Sequence, residues 1–316
     1  MRSQPSRGSR NSGFTLIELL VVVGIIGIIA SLSLVAVQSA RAYNKRLACA
    51  NQLRQIGIGL HAHQAVHGIF PPQSKPLGGS RGTGHSNQGI GWHTYVLPFI
   101  EQEPLWRKTV EAYEKDPHPL SPPHREAAQT VVPLYVCPED GRLSSPRTDP
   151  QGTTAAFTTY VGMTGSLWAI GGGIFGRSVG VSPAQITDGL STTIMVGERP
   201  PPGSFSIGWW YTTHAGPRLT AVNDHEMRSE NPTDFLTPGC YGEIVNWPGE
   251  GSIGNLYSFT PGSTRDECDR YHYWSLHPGG ANFLFADGSV RFLPYAARFV
   301  LRFHATIAQG EPPTGW

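Results

Sequence analysis

His277 is followed by Pro278-Gly279-Gly280, a tight turn that leads into the apolar stretch ANFLFADGSVRFL. An imidazole at such a place could ligate a metal or act as a base. It could equally bond backbone or carboxylate groups and fix the loop, and the turn residues around it favour that structural role. His63 and His67 are four apart, a spacing that can hold zinc on a helix. Gln64 stands where a metalloprotease would have Glu, and no third ligand is evident, so solvated histidines near a helix end are expected. Carboxylates cluster in two Gly/Pro-rich loops, at Asp224–Glu226 and Arg265–Asp269. Calcium takes oxygen ligands from loops of this kind. No D-x-D-x-D-G pattern is present, and no other cofactor is expected. No G-x-S-x-G elbow occurs, so serine hydrolysis has no support, and no catalytic residue is expected. The chain has four cysteines, Cys49, Cys137, Cys240 and Cys268. None forms C-x-x-C, which argues against a zinc ribbon or a thioredoxin-type site. Trp209, Trp210, Tyr211, Trp247, Tyr257, Tyr271, Tyr273 and Trp274 make an aromatic-rich stretch. It serves either as a sugar-binding surface or as packing for a β domain with a small core.

The elements that position these residues begin at the N-terminus. Met1–Gly13 is polar and Gly/Ser-rich and carries Arg2, Arg7 and Arg10. From Leu19 to Val37 no charge occurs, and at 1.5 Å per residue this run covers about 28 Å, enough for a bilayer core. The arginines precede it, so the positive-inside rule keeps the leader in the cytoplasm and exports the chain beyond Val37. No clean A-x-A cleavage site comes after the apolar run, unlike an ordinary secretory signal. Glu18 sits at the start of this run, where a carboxylate is costly in lipid unless it finds a partner.

GFTLIELL, from Gly13 to Leu20, resembles the type IV prepilin signature. The resemblance implies cleavage between Gly13 and Phe14 by prepilin peptidase and N-methylation of Phe14. It also implies pairing of Glu18, at the fifth mature position, with the N-terminal amine of a neighbouring prepilin-like subunit. Many relatives kink this helix with a proline near its middle. Val35 stands near that place here, so a straighter helix is expected. An uncleaved signal anchor is the alternative reading.

Beyond the membrane, Leu47, Ala50, Leu53, Ile56 and Leu60 recur every three or four residues, which fits an amphipathic helix. Gly68 and Pro71-Pro72 stop it. The expected organisation is a leader (1–13), a transmembrane helix (14–37), an exported spine helix (38–68) and a β-rich globular head (69–316). Gly (38) and Pro (27) are abundant and only 15% of residues are charged, which favours strands and loops over a helix bundle in the head. Within the head, Trp92–Trp106 reads as a short helix. Val131–Asp140, Thr158–Gly165 and Ile186–Glu198 read as strands, and 71–89 and 142–155 as loops. Asp287-Gly288 reads as a two-residue hairpin turn with φ > 0 at both positions. That loop would oppose Phe285 to Val290 and Phe283 to Phe292 on one core face. In an exported head, where disulfides persist, Cys240 and Cys268 flank a Gly/Pro-rich loop and are the expected pair. Cys49 is expected as a packed thiol.

Several stretches together resemble the prepilin-like family known as domain of unknown function 1559. They are CANQLRQIGIGLH (Cys49–His61), FPP (Phe70–Pro72), CPED (Cys137–Asp140), TTYVGMTG, DGLSTTIMVGE, and His277 followed nine residues later by Asp287-Gly288. The implied fold is α+β and pilin-like, with a long N-terminal transmembrane and spine helix packed on a β-rich head. The implied setting is the inner (cytoplasmic) membrane, crossed once, with the N-terminus cytoplasmic and the head in the periplasm or outside. The expected function is a structural subunit of a pilus, pseudopilus or secretion-type fibre. The alternative is a membrane-tethered receptor for a glycan or small solute, consistent with a solute-binding label that some schemes give the family. Removing the three leader arginines takes the basic count from 24 to 21 against 23 acidic residues, a net of −2. A chain so nearly neutral is not expected to bind nucleic acid.

Overall fold

The computed structural model describes residues 15–75, 89–118, 121–166, 169–170, 172–176, 179–213, 223–224, 243–247, 251–256, 259–297, 301–308 and 310. Gly13 and Phe14, the expected processing site, lie outside them. The protein is α+β. It divides into two compact units, Met1–Lys45 and Arg46–Trp316.

The first unit is built on helix α1 (Leu16–His67), which continues into the second. Between Leu16 and Val37 the large apolar side chains are exposed all round, and the helix is long and apolar enough to cross a membrane. A soluble helix hides one stripe, whereas one that is apolar on every side belongs in lipid or a helix bundle. Two serines fit this setting by turning inward. The Ser31 hydroxyl donates to Ile28 O at 2.8 Å and the Ser33 hydroxyl to Ile29 O at 2.7 Å, which satisfies polar groups that lipid cannot.

In the second unit the pattern on α1 changes. Cys49, Leu53, Ile56 and Leu60 are wholly buried, while Leu47 is half-exposed and falls outside the stripe expected for it. Two glycines allow close packing of this face. A Cβ on Gly57 would meet Leu284 Cδ1 at 2.8 Å, and one on Gly59 would meet Val96 Cγ1 at 2.7 Å. The helix ends at His67 with Gly68 at φ +77°, a left-handed cap that glycine adopts without strain.

The head is centred on a five-stranded sheet. Its strands are β1 (Tyr160–Met163), β2 (Ile194–Glu198), β3 (Asn223–Asp224), β4 (Gly280–Phe285) and β5 (Val290–Pro294), in the order β3-β1-β2-β4-β5. β3 runs parallel to β1, and the other pairs are antiparallel. Every residue of β1, β2 and β4 is buried, so these strands read as largely apolar runs, interrupted by Glu198 and Asn282. Leu284 and Val196 pack with the buried face of α1, while Phe283, Phe285, Val161 and Met163 form a second core with Phe259 and Tyr273. Shorter strand pairs stand apart from this sheet, among them Arg147–Thr148 with Thr154–Ala155, inside a stretch expected to be loop.

Three expectations require correction. Val131–Asp140 is not a strand: it contains a 3-10 turn at Pro133–Tyr135, because Pro133 lacks an N–H for a ladder and suits the first turn of a helix. Trp92–Trp106 is two helices, α2 (Trp92–Val96) and α3 (Glu103–Lys115), with a 3-10 turn around Pro98 between them. The terminal hairpin has a three-residue loop rather than a two-residue one. Phe285 N–H donates to Ser289 O at 2.9 Å, and only Gly288 has positive φ, at +83°. This turn-plus-bulge geometry shifts the register by one. Leu284 therefore opposes Val290 and Phe283 opposes Arg291, and Phe285 is covered by the Arg291 guanidinium, 4.3 Å from its ring centre.

Candidate functional site

Four of the stretches singled out in the sequence end at one place in the head. Cys49 lies on the buried face of α1. Cys137 comes just after the Pro133–Tyr135 turn. Glu198 closes β2, and His277 sits in the turn before β4. Cys49 and Cys137 form a disulfide across 88 residues, with Cα atoms 5.2 Å apart. This corrects the expectation of a packed thiol at Cys49. The turn fixed by Pro133 lies against α1, held by Gln52 Nε2 donating to Pro133 O at 3.0 Å, and that placement brings two cysteines distant in sequence into bonding range. Cys268 also takes part in a disulfide; Cys240, its expected partner, lies outside the described residues.

The His277 ring abuts the disulfide. Its Nε2 is 3.6 Å from Cys137 Sγ and 3.4 Å from Glu198 Oε1. All four residues are buried: Cys49 0%, Cys137 4%, Glu198 1% and His277 3% exposed. One ligand atom from each lies within 4.8 Å of every other. The carboxylate is oriented from β4, where Asn282 N–H donates to Glu198 Oε2 at 2.7 Å and Asn282 Nδ2 to Oε1 at 3.1 Å. The His277 backbone is fixed by Ser275, whose Oγ accepts from His277 N–H at 3.0 Å and donates to Gly280 O at 2.7 Å. The Cys137 N–H donates to Thr159 Oγ1 at 2.7 Å. Buried histidine and glutamate side chains are costly unless paired or bound to a metal, and here they are set against each other and two sulfurs.

Glu198 was not recognised from sequence. The signal was present, since IMVGE ends a buried strand on an acid, and a charge at the end of such a run needs a partner. Asp287 and Gly288, by contrast, lie at the far end of the β4–β5 hairpin from His277. Asp287 Oδ1 accepts from Ser289 N–H at 2.9 Å, so this pair shapes the loop.

The remaining candidates lie elsewhere in the head. His63 is buried, not solvated, with Nδ1 3.1 Å from Ile69 O; burial is the main cause that lowers its pKa to about 4. Its ring lies 4.3 Å from that of His67. Both line an apolar cavity of about 600 Å³ with Tyr95, Phe99, Glu103 and Trp106. The carboxylates of 265–269 are engaged within the protein. Asp266 accepts from Cys268 N–H, Glu267 from the Ser204 hydroxyl, and Asp269 meets His272 Nε2 at 2.9 Å. The side chains of Asp224–Glu226 lie outside the described residues. Trp209, Trp210, Tyr211, Tyr271, Tyr273 and Trp274 are all buried, so they pack the core and form no sugar-stacking surface; Trp247 and Tyr257 lie outside the described side chains.

At the start of α1, the Thr15 N–H and hydroxyl donate to Glu18 Oε2 at 2.9 and 2.8 Å, and Glu18 N–H donates to Thr15 Oγ1 at 3.3 Å. This is a capping box.

The prokaryotic N-terminal methylation motif matches residues 8–34. It marks the chain as a type IV prepilin-like protein, processed by prepilin peptidase and anchored by its N-terminal apolar helix. No curated protein and no solved structure matches the chain. The family described as protein of unknown function (DUF1559) matches residues 38–297, from the end of the apolar stretch of α1 to beyond the terminal hairpin and so including Cys49, Cys137, Glu198 and His277, and the chain belongs to that family.

Proposed function

We propose that the protein is a structural subunit of a pilus, pseudopilus or related export fibre, without catalytic activity. It is anchored through α1 in the cytoplasmic membrane, with its N-terminus cytoplasmic and its head exported. The observation that carries this reading is Glu18 on a helix whose apolar side chains are exposed all round. Such a surface is suited to lipid and, after processing, to packing against the same helix of other subunits. A carboxylate in that surface is expensive alone and far less so when it meets the N-terminal amine of a neighbour. The disulfide in the head supports export, because such bonds persist outside the cytoplasm.

The test compares wild type with Glu18→Val. Intact mass should show a chain shortened by the leader in both. Sheared or sedimentable polymer should appear only in wild type. Equal polymer in the two strains removes the assembly role of Glu18.

A second reading, a tethered receptor, is favoured by one feature, the cavity beside His63 and His67. Its apolar walls suit a small hydrophobic solute better than a glycan. A wild-type strain with processed monomer and no polymer would favour this reading over the first.

A further inference from the structure

We propose that the dithiol form of this protein binds zinc through Cys49, Cys137, Glu198 and His277, and that the disulfide is the alternative, metal-free state of the same site. Zinc binding here is independent of fibre assembly and of solute binding.

Zinc takes thiolate sulfur at about 2.3 Å and imidazole nitrogen or carboxylate oxygen at about 2.0 Å, in a tetrahedron. These bond lengths set the tetrahedral edges at about 3.5 Å from nitrogen to sulfur and about 3.3 Å from nitrogen to oxygen. His277 Nε2 stands 3.6 Å from Cys137 Sγ and 3.4 Å from Glu198 Oε1. Two edges that share the imidazole nitrogen are therefore in place. At 3.4 Å the separation from the carboxylate is within ion-pair range but longer than the about 2.7–3.2 Å of an N–H···O hydrogen bond. The nitrogen faces the space between a sulfur and a carboxylate, where a cation would lie. Of the other edges, sulfur to sulfur is about 3.8 Å in a tetrahedral zinc dithiolate, a separation open to two thiols on α1 and the Cys137 turn, whose Cα atoms lie 5.2 Å apart.

The surroundings are those of a structural metal site. Such sites are closed and carry an outer layer of hydrogen bonds that orients the ligands. Asn282 holds both carboxylate oxygens, Ser275 holds the His277 turn, and Thr159 holds the Cys137 backbone. A disulfide by itself has no need of a buried acid and imidazole beside it.

The chemistry balances in either direction. A newly exported chain carries two thiols at this site. Zinc binding releases their two protons and forms two Zn–S bonds. Oxidation instead removes two electrons and two protons, which pass to a disulfide oxidant, and forms the S–S bond. From the disulfide, a dithiol reductant supplies two electrons, becomes a disulfide itself and releases two protons as zinc binds.

The test uses the mature full-length protein in detergent, reduced without oxygen in the presence of cobalt as a spectroscopic probe for zinc. Near-ultraviolet circular dichroism monitors the fold. The expected result is one cobalt per chain with tetrahedral ligand-field bands and thiolate charge-transfer absorption, displaced by zinc and absent from the unreduced protein. His277→Asn and Glu198→Gln should each weaken binding by roughly tenfold or more. Cys240→Ser combined with Cys268→Ser should leave it intact. No bound cobalt in the reduced, folded protein overturns the proposal. So does equal binding by the oxidised protein, an unchanged spectrum in Cys49→Ser, or loss of the fold on reduction despite the metal. The oxidised-against-reduced comparison needs no substitution, so a variant that fails to fold does not blunt the test.

Discussion

Thr15 and Glu18 cap each other: the threonine N–H and hydroxyl both donate to one glutamate oxygen, and the glutamate N–H donates back to the threonine. Glu18 therefore has a partner within its own chain before any neighbour arrives. In the assembly proposed above, that local partner would be exchanged for an amine of another subunit, and two substitutions at this pair separate the roles. Thr15→Val removes the hydroxyl contacts of the cap and keeps only the backbone N–H, at a cost of about 1 kcal/mol to the helix end, and leaves the carboxylate less tied to its own chain. It should give polymer at or above the wild-type level in a shearing assay, whereas Glu18→Val gives none. Loss of polymer in both would mean that the cap, and not the intersubunit pair, is what assembly needs.

The Cys49–Cys137 bond closes a loop of 88 residues, which in the chain-entropy model stabilises the fold by about 4.5 kcal/mol. Non-reducing peptide mapping should recover the Cys49 and Cys137 peptides as one linked species. Alkylation of unfolded, unreduced protein should leave both unlabelled. The Cys49→Ser/Cys137→Ser variant should lower the head's stability by about 2–5 kcal/mol in a thermal melt. Labelling of either cysteine would contradict the linkage.

Gly288 has φ +83° and Asp287 has no positive φ, so the two turn residues should respond differently. Gly288→Val forces a β-branched residue into the left-handed region and should destabilise the head by about 1–3 kcal/mol. Asp287→Asn keeps an oxygen for Ser289 N–H and should change stability by about 0.5 kcal/mol or less. Paired melting curves measure this; equal losses would restore the two-residue turn.

His93 is fully buried, with Nε2 3.0 Å from Tyr160 O and its ring stacked on Trp92. Burial lowers its pKa to about 3. The unfolded chain thus takes up a proton near pH 6.5 that the folded one refuses until far lower. The contribution of neutral His93 is complete above pH 6.5 and is lost steadily as the pH falls toward 3. The slope is up to about 1.4 kcal/mol per pH unit. Stability measured between about pH 7 and about pH 4.5 should fall less steeply in His93→Gln than in wild type. Parallel slopes would show that His93 is already protonated in the fold.

Much of this architecture was legible in the chain. The uncharged run from Leu19 to Val37, the Gly68 stop and the apolar cores of β1, β2 and β4 all depend on local composition, which a sequence displays. The hairpin is legible in the sequence but its register is not, because Asp-Gly suits both a two-residue turn and a three-residue loop with a bulge. Only pairing across the strands, Phe283 with Arg291, decides between them. Val131–Asp140 looked like a strand by its apolar run, and the backbone rigidity of Pro133 prevailed. The site was the least legible part. His277 was visible as a residue in a special turn, yet its meaning depends on Glu198 and on a cysteine pair 88 residues apart, and separation in sequence carries no record of such proximity.

The disulfide joins α1 to a turn outside the helix by a chain of covalent bonds. A fibre that retracts or is sheared pulls on its subunits along their helices. In this protein, tension arriving at Cys49 passes directly into the turn at Cys137. The buried face of α1 cannot then be peeled from the head one side chain at a time. In a fibre of the kind proposed, tensile load on the subunit would be borne by a bond that must be broken chemically, so mechanical failure would be directed elsewhere, to the noncovalent contacts between subunits.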